Sequence, residues 1–492
     1  MKKLGHMFMG FVLVWIISVA AVGQADGGDN SLAIVGVTVI DGNGGTPLPD
    51  ATVVVGDGKI LALGSAAAVT VPADARVIDG RGHYLLPGIV DSNVHASVYG
   101  NARRRETVVK YGHRNEELAL EFVQRQLKHG VTTIRDSYGD LTALMAVRDR
   151  IETGEAIGPR MMVAGNIVGW GGPFSLTFSL IPENQLTVFQ AKWNDRIAQG
   201  VGEELMDMGP EELSAAIHAY IDKGPNFIKF GGTSHFRFPS LIGFSEQAQE
   251  AIVKAAHDRG LIAETHATSP EGLRMAVGAG IDLIQHPEIL SRDYPEDLIQ
   301  MVVEKDVICG MRSNVLTGNF WQDHLQARER AIESQKGLPA PVTSAERRSR
   351  EDQREEYLQI QRRNAERLIK AGCTVSIATD NYQGDAPEFR RSPKPIYQEA
   401  GIGSILAVEG LVELGMSEME AIVAGTKNGA IATGRQEEFG TVEVGKSADL
   451  ILLSADPLKD ISNIRSLEMV IMRGTVIDTD RLPEVPIFSK VD

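Results

Sequence analysis

The chain has 492 residues, of which 43% are apolar and 23% are charged, a composition typical of globular proteins. Acidic residues outnumber basic ones by 65 to 49, so the net charge is −16. This balance argues against a nucleic-acid-binding protein and against electrostatic docking on anionic lipid, because both depend on an excess of basic residues.

The first 25 residues have the pattern of a secretory signal peptide. Two lysines precede an apolar run over residues 7–22, and the small residues Gly23 and Ala25 follow it. We predict cleavage after Ala25, removal of residues 1–25 and a periplasmic or secreted mature protein. The alternative is an uncleaved membrane anchor, because the run approaches the shortest length that spans a bilayer. No later run is as long and apolar, so we expect no membrane contact after cleavage.

Both ends of the remaining chain have the pattern of short β-strands. Alternating apolar runs occupy residues 31–87, where Asp57 and Gly58 separate two of them and predict a tight hairpin. Residues 440–478 show a similar texture. We predict one small β-sandwich domain built from residues 31–87 and 437–482.

Between these ends, short apolar runs alternate with helical patterns, which is typical of βαβ units and a parallel sheet. Ser245 is placed to cap one helix, and Ser417 with Glu420 forms a capping box before another. Residues 88–436 therefore predict an α/β fold, a (β/α)8 TIM barrel. A doubly wound open sheet is the alternative, but no early strand is followed by a Gly-rich phosphate loop. The eight predicted strands are Gly88–His95, Thr132–Ser137, Arg160–Gly165, Asn226–Gly231, Leu261–His266, Asp282–His286, Val307–Arg312 and Thr374–Asp380.

The two cysteines, Cys309 and Cys373, lie 64 residues apart in the predicted interior of the fold. A single pair cannot form the disulfide framework of a small secreted domain. We therefore expect both cysteines to be free and structural.

Polar residues stand at the carboxyl ends of five predicted strands, where barrel enzymes place their active sites. Three imidazoles, an amine and a carboxylate would converge there. This set of groups suits a divalent metal of the zinc type. Each residue has an ordinary interpretation by itself, such as a solvated histidine, a structural ion pair or a turn cap, but their convergence favours a site. The residues are Asn93 and His95 on the first strand, then Lys229, His266, His286 and Asp380.

Short motifs surround these positions along the whole mature chain. They are Leu86–Asp91 followed by His95, Gly130–Asp136, Ile228–Lys229, Glu264–His266, Leu283–His286, Ala378–Asp380, Thr426–Ala430 and Gly440–Leu450. Together they resemble the amidohydrolase superfamily, in the branch that contains imidazolonepropionases and metal-dependent prolidases.

The resemblance implies a hydrolase of small molecules that uses one or two divalent metal ions, zinc in the first place. It implies that the first-strand pair and Asp380 hold one metal, and that His266 and His286 hold a second. A carboxylated Lys229 would bridge the two. Metal-bound hydroxide would attack a carbonyl carbon, while Asp380 takes and returns the proton as general base and acid.

The chain departs from the family pattern in two places. Asn93 stands where the first histidine of His-x-His is usual, and an amide oxygen is a poorer zinc ligand than imidazole. This variant resembles phenylurea and thiocarbamate hydrolases and implies a weak or lost ligand at the first metal. The loop after the third strand, residues 169–173, lacks the histidine that many relatives carry. That loss weakens the case for a dipeptidase, whereas Trp170 and Phe174 suit an apolar or aromatic substrate or equally pack under the rim.

Further candidates for the mouth of the site come from the loops. Residues 313–365 are strongly charged and predict a solvated helical insertion. Its first residues lie near the mouth by topology and are expected to form a lid. The candidate lid residues are Phe320, Trp321 and His324, and the candidate substrate-binding residues are Trp170, His235 and Tyr138.

Three functions remain open from the sequence. The leading one is a metal-dependent hydrolase of a C–N bond in an amide, carbamate or urea. The second is a two-metal, prolidase-like dipeptidase in which Asn93 still serves as a ligand. The third is a binding protein whose metal site has decayed, which the retained polar residues argue against. A homo-oligomer is left open.

Overall fold

The computed structural model describes residues 31–99, 104–236, 240–335, 350–390 and 393–489. The predicted signal peptide therefore lies outside the described residues. Within those ranges no helix combines the length and the apolar character needed to cross a bilayer.

Seventeen strands and fourteen α-helices make up the described chain. The strands are β1 (Leu32–Val39), β2 (Leu48–Gly56), β3 (Lys59–Ser65), β4 (Arg76–Asp79), β5 (Tyr84–Pro87), β6 (Ile89–Tyr99), β7 (Val131–Asp136), β8 (Arg160–Val163), β9 (Ile228–Gly231), β10 (Ala263–His266), β11 (Leu283–Gln285), β12 (Ile308–Met311), β13 (Val375–Ile377), β14 (Asn381–Gly384), β15 (Leu450–Leu453), β16 (Leu467–Met472) and β17 (Thr475–Val476). The helices are α1 (Arg104–Tyr111), α2 (Asn115–Lys128), α3 (Leu141–Glu152), α4 (Leu176–Ser179), α5 (Val188–Ala198), α6 (Pro210–Ile221), α7 (Glu246–His257), α8 (Pro270–Ala279), α9 (Glu296–Glu304), α10 (Gly318–Gln335), α11 (Arg350–Lys370), α12 (Ile402–Glu413), α13 (Glu418–Gly425) and α14 (Lys427–Ala432).

Strands from both chain ends join in one sheet of eight. Its order is β17-β16-β15-β5-β1-β2-β3, with β4 beside β1. Asp57 and Gly58 form the two-residue turn between β2 and β3, and both have positive φ, as the predicted hairpin requires. Leu450 pairs with Pro87, so the C-terminal strands close directly onto the N-terminal ones. The chain ends thus share one hydrogen-bonded sheet, and its division into a two-layer sandwich stays a prediction.

Parallel strands form the rest of the fold. One sheet has the order β14-β6-β7-β8 and the other β13-β12-β11-β10-β9. Consecutive strands are therefore neighbours within each sheet, except that β14 pairs with the first parallel strand, β6. A parallel bridge between Val168 and Phe230 links the two sheets on one side. On the other side the amide of Asp380 donates to the carbonyl of Asn93 at 2.9 Å. All eight strands that the sequence predicted are present, within a few residues of their predicted bounds.

The helices begin where the capping signals predicted. The Ser245 hydroxyl accepts a hydrogen bond from the amide of Ala248, and Ile252 of the same helix is fully buried against the core. Ser417 and Glu420 make the predicted capping box of α13. The helices are therefore set in place by local contacts, and their apolar faces cover the parallel strands.

The prediction of free cysteines is wrong, because Cys309 of β12 and Cys373, just before β13, form a disulfide. Both residues are buried. Parallel pairing places β12 beside β13, and this brings together two residues that are 64 positions apart in the chain. The sequence separation gave no sign of that pairing.

Candidate active site

A cavity of about 790 Å³ opens at the carboxyl ends of the parallel strands. Five of the six predicted metal-site residues line it, namely His95, Lys229, His266, His286 and Asp380. The sixth, Asn93, is fully buried behind Asp380 and donates to its Oδ1 at 3.4 Å. The fold therefore brings together, in one place, residues from β6, β9, β10 and the ends of β11 and β13.

Among the described residues that line the cavity, Asp380 is the carboxylate. Its Oδ1 accepts from His95 Nε2 at 2.8 Å and lies 3.9 Å from His286 Nε2, while its Oδ2 accepts from Arg312 Nη1 at 3.4 Å. Burial alone would raise the pKa of Asp380, but the His95 hydrogen bond and the positive charges around it hold that pKa well below its usual value. Asp380 is therefore ionised at neutral pH.

Two of these strand ends have unusual backbone conformations. Asp380 has φ +58° and His286 has φ +43°, and residues other than glycine rarely adopt positive φ. Such strain persists only where surrounding contacts enforce it, and it clusters at functional sites. Both residues point into the same cavity.

Lys229 is almost fully buried, with 1% of its surface exposed. Its ammonium makes no hydrogen bond or ion pair with any described residue. Burial lowers the pKa of Lys229, and the charges of Glu264 and Asp380 only partly oppose that shift. A buried lysine of this kind is readily neutral, which suits chemistry on its amine.

His266 and His286 face each other, with ring centroids 4.9 Å apart. His266 Nε2 and His286 Nδ1 are buried, and neither has a hydrogen-bond partner among the described residues. Burial holds the pKa of both rings far below 6.5, so both are neutral imidazoles. A neutral imidazole nitrogen without a partner is what a metal ligand offers.

His95 is oriented by a second contact. Its Nδ1 lies 3.2 Å from the carbonyl oxygen of Tyr138, and this contact orients the ring so that Nε2 is directed into the cavity. In the described chain no three His, Cys, Asp or Glu side chains are spaced to hold a metal ion as they stand, and Asp380 bonds directly to His95. The donor types nevertheless fit a metal, since the partnerless atoms include imidazole nitrogens and the amide oxygen of Asn93.

An ion-pair network that sequence reasoning missed lies beside Asp380. Arg312, directly after β12, donates through Nε to Glu288 at 2.8 Å and through Nη2 to Gln361 at 3.1 Å. Glu288 is fully buried two residues after His286. The sequence contained part of the information needed to find Arg312, because this residue ends a predicted strand, as the other site residues do.

A second buried pair lies among the strands themselves. Arg135 of β7 donates to Glu264 of β10 at 2.6 Å, and both side chains are almost completely buried. Gln285 also donates to Glu264, at 3.0 Å. Both donors engage Oε2 of Glu264, and Oε1 is buried without a hydrogen-bond partner among the described residues. Lys229, on the neighbouring strand, lines the cavity instead.

Aromatic side chains form one wall of the cavity. Phe178 stacks on Tyr138 with a centroid separation of 5.0 Å and on His235 with one of 4.7 Å. Trp170 lies edge-on to His266 at 4.9 Å. The three predicted substrate-binding residues, Tyr138, Trp170 and His235, thus all line the cavity, and Phe178 is one the sequence did not single out.

Other sequence candidates lie elsewhere. Phe174 is buried but does not line the cavity, so of the two aromatic residues in that loop only Trp170 faces the site. Among the predicted lid residues Phe320 lines the cavity, whereas Trp321 packs with its ring 5.4 Å from that of His324, outside the lining. The lid prediction therefore rests on Phe320 alone.

Known proteins are similar to this chain in sequence and in fold. The sequence pattern of the Amidohydrolase family matches residues 84–477. A solved structure of molinate hydrolase is similar with a TM-score of 0.82 and 29% identity, over 94% of this chain and 98% of that one. Phenylurea hydrolase B is similar with a TM-score of 0.81 and 30% identity, over 94% of this chain and 100% of that one.

A sequence relative extends the comparison to fungi. Ochratoxinase of Aspergillus niger is 24% identical over 432 residues, which cover 85% of this chain and 80% of that protein. The structural neighbours imply a TIM-barrel fold for the parallel strands. The match over most of its length shows that the chain belongs to the amidohydrolase family, as a hydrolase that acts on carbon–nitrogen bonds.

Proposed function

We propose that this protein is a metal-dependent hydrolase that cleaves the C–N bond of an amide, carbamate or urea. The observation that carries the proposal is one cavity that is lined by an ionised Asp380, a buried lysine and two neutral histidines. Each histidine has one ring nitrogen without a hydrogen-bond partner among the described residues. The names of the two similar solved structures, a molinate and a phenylurea hydrolase, support this substrate class.

The residues that would hold the metal are divided between two positions. Lys229, His266 and His286 would hold one ion, with Lys229 as its carbamate, because a carbamate is anionic where an ammonium would repel a cation. Asp380, His95 and Asn93 would form a second, weaker position, since the Asn93 amide is neutral. When bound, a divalent cation, proposed to be zinc, polarises a carbonyl and lowers the pKa of water.

Asp380 is proposed to move the proton. Its carboxylate is held by His95 and Arg312 at the edge of the cavity, in the ionised form that a base needs. It takes a proton from the attacking water and returns it to the leaving nitrogen. The aromatic wall opposite excludes water and accepts an apolar or aryl group of the substrate.

The two-metal dipeptidase remains a second candidate for one reason. Asn93 Oδ1 is buried and has no hydrogen-bond partner among the described residues, so it is still available as a ligand. In that case Asn93 would complete the first position with His95 and Asp380. The same open oxygen, together with the retained histidines, is evidence against a decayed binding protein.

A substrate panel with metal analysis separates these candidates. We expect the zinc-loaded protein to hydrolyse aryl ureas, aryl carbamates or anilides, to lose activity on chelation and to regain it with zinc. Exclusive hydrolysis of Xaa-Pro dipeptides would replace the proposal by the dipeptidase. Firm metal binding with no hydrolysis of any member of the panel would contradict both and leave a binding protein.

We also propose that the protein is exported. The disulfide between Cys309 and Cys373 supports this, because such bonds persist in oxidising compartments and are rare in the cytosol. Cell fractionation with mass spectrometry of the N-terminus tests it. We expect the protein outside the cytosol with its first residue after Ala25, whereas an intact cytosolic chain would contradict the proposal.

A further inference from the structure

Two guanidinium groups line the cavity, and they differ in how their charge is balanced. Arg312 is neutralised by Glu288 and Asp380 at 2.8 and 3.4 Å. Arg104, at the start of α1, forms no ion pair with a described carboxylate. Its Nη1 donates to the carbonyl of Pro173 at 3.0 Å and to Ser179 Oγ at 3.1 Å, and its Nε is buried without any partner.

Arg104 stays charged in this setting. Burial lowers the pKa of Arg104, but an arginine starts so high that its guanidinium remains protonated at neutral pH. The charge of Asp385 opposes this shift through space. A cation that is partly removed from water and lacks a counterion is costly unless a ligand supplies the opposite charge.

The position of Arg104 relative to the reaction centre is set by the aromatic wall. Its guanidinium carbon lies 5.1 Å from the centroid of the Phe178 ring. Phe178 in turn stacks on His235, whose ring centroid is 5.9 Å from that of His266. Arg104 is thus at one end of a row of rings and the histidine pair is at the other.

We infer that Arg104 is the subsite for a carboxylate carried by the substrate. The substrate class is then an aryl amide, carbamate or urea that also carries a carboxylate, with its ring against Phe178 and its C–N bond toward His266 and His286. A guanidinium with unused donors binds a carboxylate through charge-assisted hydrogen bonds. The assignment of the C–N bond rests on the proposed function, whereas the carboxylate subsite itself does not.

Binding measurements test the subsite without any hydrolysis. We expect 3-phenylpropanoate to bind the wild-type protein roughly 10- to 100-fold more tightly than 3-phenylpropanamide in calorimetric titrations. Arg104→Gln should remove this difference, and Arg105→Gln, which changes an exposed arginine of the same helix, should keep it. Unchanged carboxylate affinity in Arg104→Gln would overturn the inference, because the anion would then bind elsewhere in the cavity.

Kinetics with matched anilides test its consequence for the substrate. For 4-acetamidobenzoate we expect Arg104→Gln to raise KM roughly 10- to 100-fold with a smaller change in kcat, and for neutral acetanilide we expect a clearly smaller rise in KM. Arg104→Lys keeps the charge and should retain part of the preference, which covers the case in which the glutamine variant folds poorly.

The two possible failures are distinguishable. Arg104-dependent binding of 3-phenylpropanoate without hydrolysis of either anilide would leave the subsite and overturn the proposed function. If the wild-type protein and Arg104→Gln both hydrolyse the two anilides equally well, the proposed function stands and the carboxylate subsite is overturned.

Discussion

The two halves of the cavity differ in how their polar atoms are satisfied. Around Asp380 the chain supplies the partners itself, through His95 on one oxygen and Arg312 on the other. Around Lys229, the nitrogens His266 Nε2 and His286 Nδ1 have no partner among the described residues. Since buried polar groups without partners are costly, the second half, here called the open half, is organised to receive a ligand. In the first, here called the complete half, both oxygens of Asp380 already have partners. The proposed proton-transfer group, Asp380, is thus held by protein contacts, whereas the proposed metal ligands His266 and His286 keep free nitrogens among the described residues.

Removal of Lys229 breaks the open half and should have the largest effect. We expect Lys229→Ala to lose most bound metal and about 10³-fold or more in kcat/KM, because the anionic bridge is gone. Short carboxylic acids such as propionate should restore part of both. Metal analysis and steady-state kinetics measure this, with Lys254→Ala on the exposed face of α7 as the control. Full activity in the Lys229 variant would contradict a carboxylated lysine.

Neutralisation of Asp380 breaks the complete half. Asp380→Asn keeps the shape of the side chain but removes the base, so we expect turnover to fall by about 10² or more. The metal held by Lys229, His266 and His286 should largely remain, which metal analysis after dialysis will show. A near-normal rate would place the base elsewhere, with His235 as the next candidate in the cavity.

Asn93 lies behind Asp380 in the complete half and should set the number of metal ions. We predict about one tightly bound ion per chain, because the amide is a weak neutral donor. Asn93→His should raise the count toward two without a matching gain in activity. Metal content of both proteins after extensive dialysis is the measurement, and two firmly held ions in the wild-type protein would show that the prediction is wrong.

Asp136 is a carboxylate near the complete half that has no cation in contact with it, and its effect should be the smallest. Burial raises the pKa of Asp136 to about 7, although the amides of Ala96 and Tyr138 donate to it. Because 7 lies above the unfolded value of 3.8, the folded state binds more protons between these pH values. The contribution of Asp136 to stability is therefore present at low pH and is lost as pH rises toward 7.

Asp136→Asn isolates this effect, since asparagine does not titrate. From pH 4 to pH 7 the free energy of unfolding of the wild-type protein should fall relative to the variant by up to about 1.4 kcal/mol per pH unit. Urea unfolding of both chelated proteins across that range measures the difference. Parallel pH profiles would show that Asp136 is ionised throughout and that the complete half extends to it.

Much of the fold was predictable because its signals are local. The eight parallel strands, the Asp57–Gly58 hairpin and the Ser417 capping box each depend on residues within a few positions of one another. The junctions between the two parallel sheets and the sheet shared by both chain ends depend on contacts between distant segments. For these regions the sequence predicted the type of architecture but not which residues pair. The pairing of Leu450 with Pro87 is such a case.

The candidate site divides in the same way. His95, Lys229, His266, His286 and Asp380 stand at strand ends in recognisable motifs, so their convergence followed from the parallel topology. The partners that tune them did not follow. Glu288 neutralises Arg312 through a contact between neighbouring strand ends, and Arg104 places a cation in the cavity, whereas the loop after the third strand carries no histidine. The sequence offered no way to tell which arginine had a counterion.

By itself, the sequence determined which residue types stand at the ends of which strands, because periodicity and capping act over a few residues. Only the tertiary structure decided which of those groups are satisfied. It paired Cys309 with Cys373 and gave Asp380 its donors. Among the described residues it left His266 Nε2 and His286 Nδ1 without a hydrogen-bond partner and Arg104 without a carboxylate partner. The physical reason is that hydrogen bonds, ion pairs and disulfides require contact within a few ångströms. Contacts between residues tens to hundreds of positions apart exist only once the strands have paired.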